Sequence, residues 1–137
     1  MIGKRLRHRV ARQAQFRCGY CQTQEIVSGV PLTIEHITPK MRGGEDVEAN
    51  LWLSCRLCNE TKGAQIEAID PETGAVVPLF NPRSDEWNIH FAWVTEGIAV
   101  LGLTPVGRAT IGALDLNSQF RRASRTLWVE AGYHPPS

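Results

Sequence analysis

No apolar run in this sequence approaches the roughly 20 residues that a membrane-spanning helix needs. No membrane partner is expected. The first residues are basic and amphipathic, without the apolar centre of a secretory leader, so a cytoplasmic location is expected. Acidic residues are absent from Met1 to Arg17, a stretch that carries Lys4, Arg5, Arg7, Arg9, Arg12 and Arg17. That end reads as a cationic arm. Low-complexity tracts are missing too, and the only internal repeat is a pair of short cysteine motifs.

At 137 residues the chain is expected to form a single domain, 1–137, that buries roughly two-thirds of its unfolded surface. A domain of that size is small enough for a bound metal to matter to its stability. Net charge is only +1, but it is unevenly placed. Ten basic and six acidic residues up to Lys62 make +4, and five and eight after it make −3. A basic first half suits a polyanion, although ordinary solvated faces carry such charges as well.

The two cysteine motifs are Cys18-Gly19-Tyr20-Cys21 and Cys55-Arg56-Leu57-Cys58. Cytosolic thiols stay reduced, so two CxxC pairs favour metal ligation over disulfides, with four buried free thiols or a redox pair as the alternative. Each CxxC turn puts two thiolates on one edge of a tetrahedron, and two turns close the shell of a structural Zn²⁺. Such a site contributes about 10–16 kcal/mol of apparent binding energy, which is folding energy when the unfolded chain holds no site. The 33 residues between Cys21 and Cys55 exceed the gap of a simple zinc ribbon. Something folded is expected between the motifs.

Periodicity and chain breakers predict the elements. Lys4 to Phe16 reads as a helix with Leu6, Val10 and Ala14 on one side and arginines on the others. Val30 to Ile37 contains an alternating stretch suited to a strand, and Thr38 to Asp46, with Pro39 and Gly43-Gly44, reads as a loop. The second cysteine motif leads into a short helix reaching Lys62. Asp70-Pro71-Glu72-Thr73-Gly74 is a predicted turn, and Phe91 to Leu101 a hairpin about Thr95-Glu96-Gly97. Thr104-Pro105 starts a helix running to about Leu114, and Ser118 caps another that ends near Ala131 with Gly132 after it.

Glu35-His36 at a strand end stands out because of its company: amides at Asn50 and Asn59, and a cation at Lys62. A lone histidine there is usually a hydrogen-bonded structural residue. Adjacent strand residues point to opposite faces, so Glu35 and His36 share one site only where the strand ends or bends.

Glu35-His36-Ile37-Thr38-Pro39, Gly43-Gly44, Asn50-Leu51 and Cys55-Arg56-Leu57-Cys58-Asn59-Glu60-Thr61-Lys62 together resemble the HNH endonuclease family, in its subgroup with four zinc-binding cysteines. The resemblance covers about Cys18 to Lys62, and Leu79 to Arg83, Trp87, His90-Phe91 and Gly107 to Ile111 are similar to an extension that often follows this core. It implies an α+β fold: a ββα-metal, treble-clef-like core at about 18–63, stapled by a four-cysteine zinc site. A basic N-terminal helix would precede it, and a hairpin plus helices would follow at about 78–137. It also implies hydrolysis of phosphodiesters with one divalent ion. His36 would be the general base, Glu35 and Asn59 ligands of that ion, and Asn50 the residue that holds the loop orienting His36. Many members carry histidine where this chain has Asn59. A neutral amide oxygen suits Mg²⁺ or Mn²⁺ better than zinc.

Imidazole is largely neutral near pH 7 and can take a proton from water. The converging carboxylates of a two-metal nuclease are not found in the sequence. The arm, Lys4, Arg5, Arg7, Arg9 and Arg12, is expected to meet phosphates of DNA, with RNA left open as substrate. Lys62 is expected either to join them or to cover its helix. Arg121, Arg122 and Arg125 either extend the track or face solvent. The expected function is thus a metal-dependent nuclease of undetermined oligomeric state. The alternative is a catalytically inactive, zinc-stabilised module that binds nucleic acid.

Overall fold

The structure is a computed structural model and describes residues 2–137. The described chain divides into two compact units, one made of the residues up to Ile66 with Asn81–Ser84, the other of Glu67–Phe80 and Asp85–Ser137. Among the described residues no helix is long and apolar enough to cross a membrane.

In the first unit, α1 (Lys4–Gln13) buries Val10, with Ala14 just beyond its end, and leaves Lys4, Arg5, Arg7, Arg9 and Arg12 exposed. The helix stops three residues before the expected Phe16. Gln15 and Phe16 both adopt left-handed backbone, at φ 56° and 54°, and the Phe16 amide closes on the Ala11 carbonyl at 2.9 Å. This sharp exit carries the chain into the first cysteine turn, where the Cys18 amide donates to Thr23 and the Gly19 amide to Leu53. A Cβ on Gly19 would collide with the Trp52 ring and lie 2.6 Å from Pro82, so only glycine fits that approach.

A single helical turn, α2 (Glu25–Ser28), precedes β1 (Thr33–His36), which pairs antiparallel with β2 (Leu51–Ser54). The register sets Glu35 opposite Trp52 and His36 opposite Leu51. The strand lies within the Val30 to Ile37 segment that contains the alternating stretch, with Val30 and Pro31 exposed ahead of it and Ile37 beginning the loop. Next comes α3 (Arg56–Lys62), whose N-cap is Cys55: its sulfur accepts from the Cys58 amide at 3.3 Å. The second cysteine motif is therefore also the helix start, where amide dipoles favour a thiolate.

The second unit is built on two more antiparallel hairpins, β3 (Glu67–Ile69) with β4 (Val76–Pro78), and β5 (Phe91–Val94) with β6 (Ala99–Gly102). One short helix, α4 (Trp87–His90), leads into β5. Two longer ones follow, α5 (Pro105–Leu114) and α6 (Gln119–Glu130), and α5 packs on both hairpins. Thr104 and Ser118 cap them through their side chains as their sequence predicts. Phe80, Phe91, Val100, Ala109, Leu114 and Leu116 form this unit's core.

Arg121 and Arg125 do not extend a phosphate track. Both are buried and donate to backbone carbonyls, Arg121 to Leu114 at 3.0 Å and Arg125 to Leu116 at 2.6 Å. Burying the Arg125 guanidinium is tolerable because such carbonyls and the Trp93 ring, 5.5 Å away, take its donors and charge.

Candidate active site

The four cysteines, two pairs about 37 residues apart in sequence, are brought together by the β1–β2 hairpin and the start of α3. Their sulfur atoms all lie within 4.8 Å of one another, and Cys18, Cys21 and Cys58 are buried. Burial pushes the Cys18 and Cys58 thiols up, while hydrogen bonds, that of Cys18 first, hold Cys21 and Cys55 down. All four can ionise together only around a cation, and a soft tetrahedral thiolate set suits Zn²⁺. Among the described residues no other group of three or more His, Cys, Asp or Glu side chains gathers ligand atoms this way.

Glu35 and His36 leave β1 on opposite faces, as strand alternation requires. The Glu35 side chain, 1% exposed, faces α3, where the Lys62 ammonium lies 3.0 Å from its Oε1, and Tyr20 donates to that same oxygen at 2.6 Å. Burial raises the Glu35 carboxyl above its ordinary value, against the pull of Lys62 and Tyr20. The Tyr20 hydroxyl is itself pushed well up by burial and by Glu35, so it stays a donor. Lys62, 4% exposed, spends its remaining donors on the carbonyls of Ile37 at 2.9 Å and His36 at 3.3 Å. The expectation that Lys62 meets nucleic acid is thereby corrected. Its ammonium is a strut under the end of β1, held inside because a buried carboxylate needs it.

His36 faces the other way, with 20% of its side chain exposed, and its Nε2 lies 2.6 Å from Asp46 Oδ1. Asp46 has no signal in the sequence, since nothing in its spacing from His36 marks the pair. Asn50 ties down the loop between them: its Oδ1 accepts from the Thr38 amide at 2.8 Å, and its Nδ2 donates to the carbonyls of Thr38 at 3.1 Å and Glu45 at 3.0 Å. Gly44 lets the loop fold this tightly, because a Cβ there would clash with the Thr38 carbonyl oxygen. The hydrogen bond with His36, then the cation of Lys40, holds the Asp46 carboxyl down at about 2.

On the arm, Arg5, His8, Arg9, Arg12 and Gln13 line an open cavity of about 430 Å³. Arg9 is partly committed, 2.7 Å from Glu48, which also accepts from Gln13. Arg83, which the sequence marks only as part of the extension, donates to Gln13 and to the Leu51 carbonyl and stacks 4.9 Å from the Trp52 ring.

A cysteine-bound hairpin and helix with a partly exposed histidine at the hairpin's end is the arrangement the motif implied. Residues 18–65 match the HNH endonuclease family model. No curated protein and no solved structure matches the chain. A match to the HNH family implies nuclease activity, with nucleic acid as substrate. The rest of the chain, including α1 and the second unit, lies outside the HNH match.

Whether Glu35 and Asn59 fit the divalent ion of an HNH nuclease turns on one atom. Glu35 Oε2 is buried and has no hydrogen-bond partner among the described residues. A buried carboxylate oxygen left so is rare in proteins, and an ion or a water is one means of satisfying it. Asn59 is exposed on α3 one turn before Lys62, hence on the same helix face. One carboxylate oxygen and one amide oxygen are a set that a hard cation such as Mg²⁺, which keeps several waters, accepts. These donor types suit such an ion, while Glu35 itself sits deep beside Lys62, on the face of β1 opposite His36, and not in its expected place beside His36.

Proposed function

We propose that the chain is a metal-dependent HNH endonuclease acting as one domain on the phosphodiester bonds of DNA, on a treble-clef-like ββα core. The observation that carries this is His36: a partly exposed imidazole at the end of a cysteine-stapled hairpin, on a loop locked by Asn50. Glu35 and Asn59 would hold a single Mg²⁺ or Mn²⁺, which would supply charge stabilisation at the phosphate and leaving oxygen.

The chain's own residues account for the rest. His36 takes a proton from a water molecule as the water oxygen bonds to phosphorus. The opposite phosphorus–oxygen bond breaks, its electron pair goes to the sugar oxygen, and solvent protonates that oxygen. Lys62 fixes the backbone of His36 from beneath, and Asn50 keeps the loop from drifting over the base. The arginines of α1 supply attraction to phosphates that does not depend on base sequence.

A plasmid-nicking assay of the zinc-loaded protein with Mg²⁺ or Mn²⁺ tests the reading. His36→Ala should lower cutting by about 10²–10⁴-fold, the contribution of a general base, and leave DNA affinity near that of the parent. A parent protein that binds DNA tightly but never nicks it with any divalent ion would instead be the silent zinc module. Normal cutting by His36→Ala would remove the assigned base.

A further inference from the structure

His36 carries two ring nitrogens, and only one can be the bare nitrogen that accepts a proton. We infer that Asp46 is the positioning residue that settles which: its carboxylate accepts Nε2–H of His36, leaving Nδ1 as the proton-accepting atom. This rests on the nuclease reading of His36 for its purpose, but not for its geometry.

Asp46 Oδ1 stands 2.6 Å from His36 Nε2 and 3.3 Å from the Lys40 ammonium. An ammonium has donors only, and an ionised carboxylate has acceptors only. With Lys40 on one side of Oδ1, the oxygen is an anionic acceptor, and the low position of the Asp46 carboxyl agrees. The nitrogen facing it must then bear the hydrogen. The 2.6 Å separation is at the short end for a charge-assisted bond, in which the imidazole is held in one orientation.

Asp46 reaches this place, ten residues after His36, on a loop with its own requirements. Asn50 bonds the carbonyl of Glu45, the residue directly before Asp46, as well as both polar backbone atoms of Thr38. The single amide thus clamps the two ends of the loop, and the clamp delivers the carboxylate to the imidazole. The role of Asn50 is then indirect: Asn50 places the loop, the loop places Asp46, and Asp46 orients His36. Asp46 is 26% exposed, so it is reachable by water without being stripped of its partners.

A carboxylate in this position has two effects on a base. It removes the alternative tautomer and ring flip, in which Nε2 would be bare and directed at Asp46. It also stabilises the imidazolium formed when Nδ1 takes the proton, through the charge pair then completed. Neither effect requires Asp46 to touch the substrate, and neither moves a proton to Asp46. A purely structural ion pair would instead show itself in stability alone.

Two measurements on the zinc-loaded full chain decide it. In ¹⁵N-histidine-labelled protein, with His36 assigned by loss of its signals in His36→Ala, Nε2 should resonate as the protonated nitrogen and Nδ1 as the bare one. Asp46→Asn should mix or reverse that pattern, because its amide can donate to the ring as well as accept. In the nicking assay Asp46→Asn should lower kcat by about 10²-fold or more, within the range for losing a correctly held base. KM should change less than about twofold, since uniform binding is untouched. Asp46→Glu, which keeps the carboxylate, should retain more activity than Asp46→Asn. A protonated Nδ1 in the parent protein overturns the proposal without any variant, as does a folded Asp46→Asn protein with the parent's kcat. A parent with bare Nδ1 that never nicks DNA overturns the nuclease reading and leaves the tautomer assignment standing.

Discussion

Lys62 and Glu35 are the residues on which the hairpin's interior depends. Their ion pair is sheltered from water on both sides, so removing one partner strands the other charge. Lys62→Ala should therefore destabilise the protein by about 3–5 kcal/mol. Lys62→Met combined with Glu35→Gln, which removes both charges, should lose distinctly less. Thermal melts of the three proteins check this, and equal losses would mean the pair is not coupled. Asp70 makes stability depend on pH. It is buried and accepts both nitrogens of the Arg108 fork, at 2.9 and 3.0 Å, which holds its carboxyl well below the ordinary range. Its contribution to stability is therefore complete above the unfolded value of about 3.9 and declines as pH falls below it. Asp70→Asn should lower the melting temperature at pH 7 and converge with the parent toward pH 2; parallel curves would refute the assignment.

Among the elements, α5 and α1 differ in what holds them. The N-cap Thr104 accepts from the Gly107 amide at 3.1 Å and lies 2.6 Å from His90 Nδ1. Thr104→Ala should cost about 1 kcal/mol, as a lost cap does, readable in urea midpoints. In contrast, α1 keeps its basic face in water, and its value is measured against a polyanion. Arg5→Ala with Arg12→Ala should reduce the slope of log K against log salt by about 0.9 for each phosphate no longer neutralised. An unchanged slope would show that DNA binds elsewhere. The ends of these elements also show why some boundaries are legible in sequence and others are not. The start of α5 carries a side-chain cap and a proline, which act within one turn and are visible locally. The end of α1 is set by two left-handed residues, Gln15 and Phe16, types that carry no turn preference. The β3–β4 hairpin is legible only as its turn, because three-residue strands are too short to show alternation.

For the molecule as a whole, zinc held by the cysteine cluster should contribute on the order of 10 kcal/mol of folding energy. A strong chelator, or Cys55→Ser, should abolish cooperative melting of the first unit and release about one zinc per chain by elemental analysis, as expected of a closed four-thiolate shell. A metal-free protein melting as before would remove the staple. Local chemistry alone determined a good deal here: paired CxxC turns mark a metal site, the motif around Glu35-His36 carries the resemblance that the family-model match over residues 18–65 bears out, and capping residues mark two helices. Each of those signals acts over a few residues, so it survives in one dimension. Which carboxylate meets His36, whether Lys62 points to water or inward, and why Arg121 and Arg125 are buried were decided only by tertiary structure. The physical reason is that a charged side chain is placed by the partner that compensates its desolvation, and that partner is chosen by loop closure and packing between segments far apart in the chain.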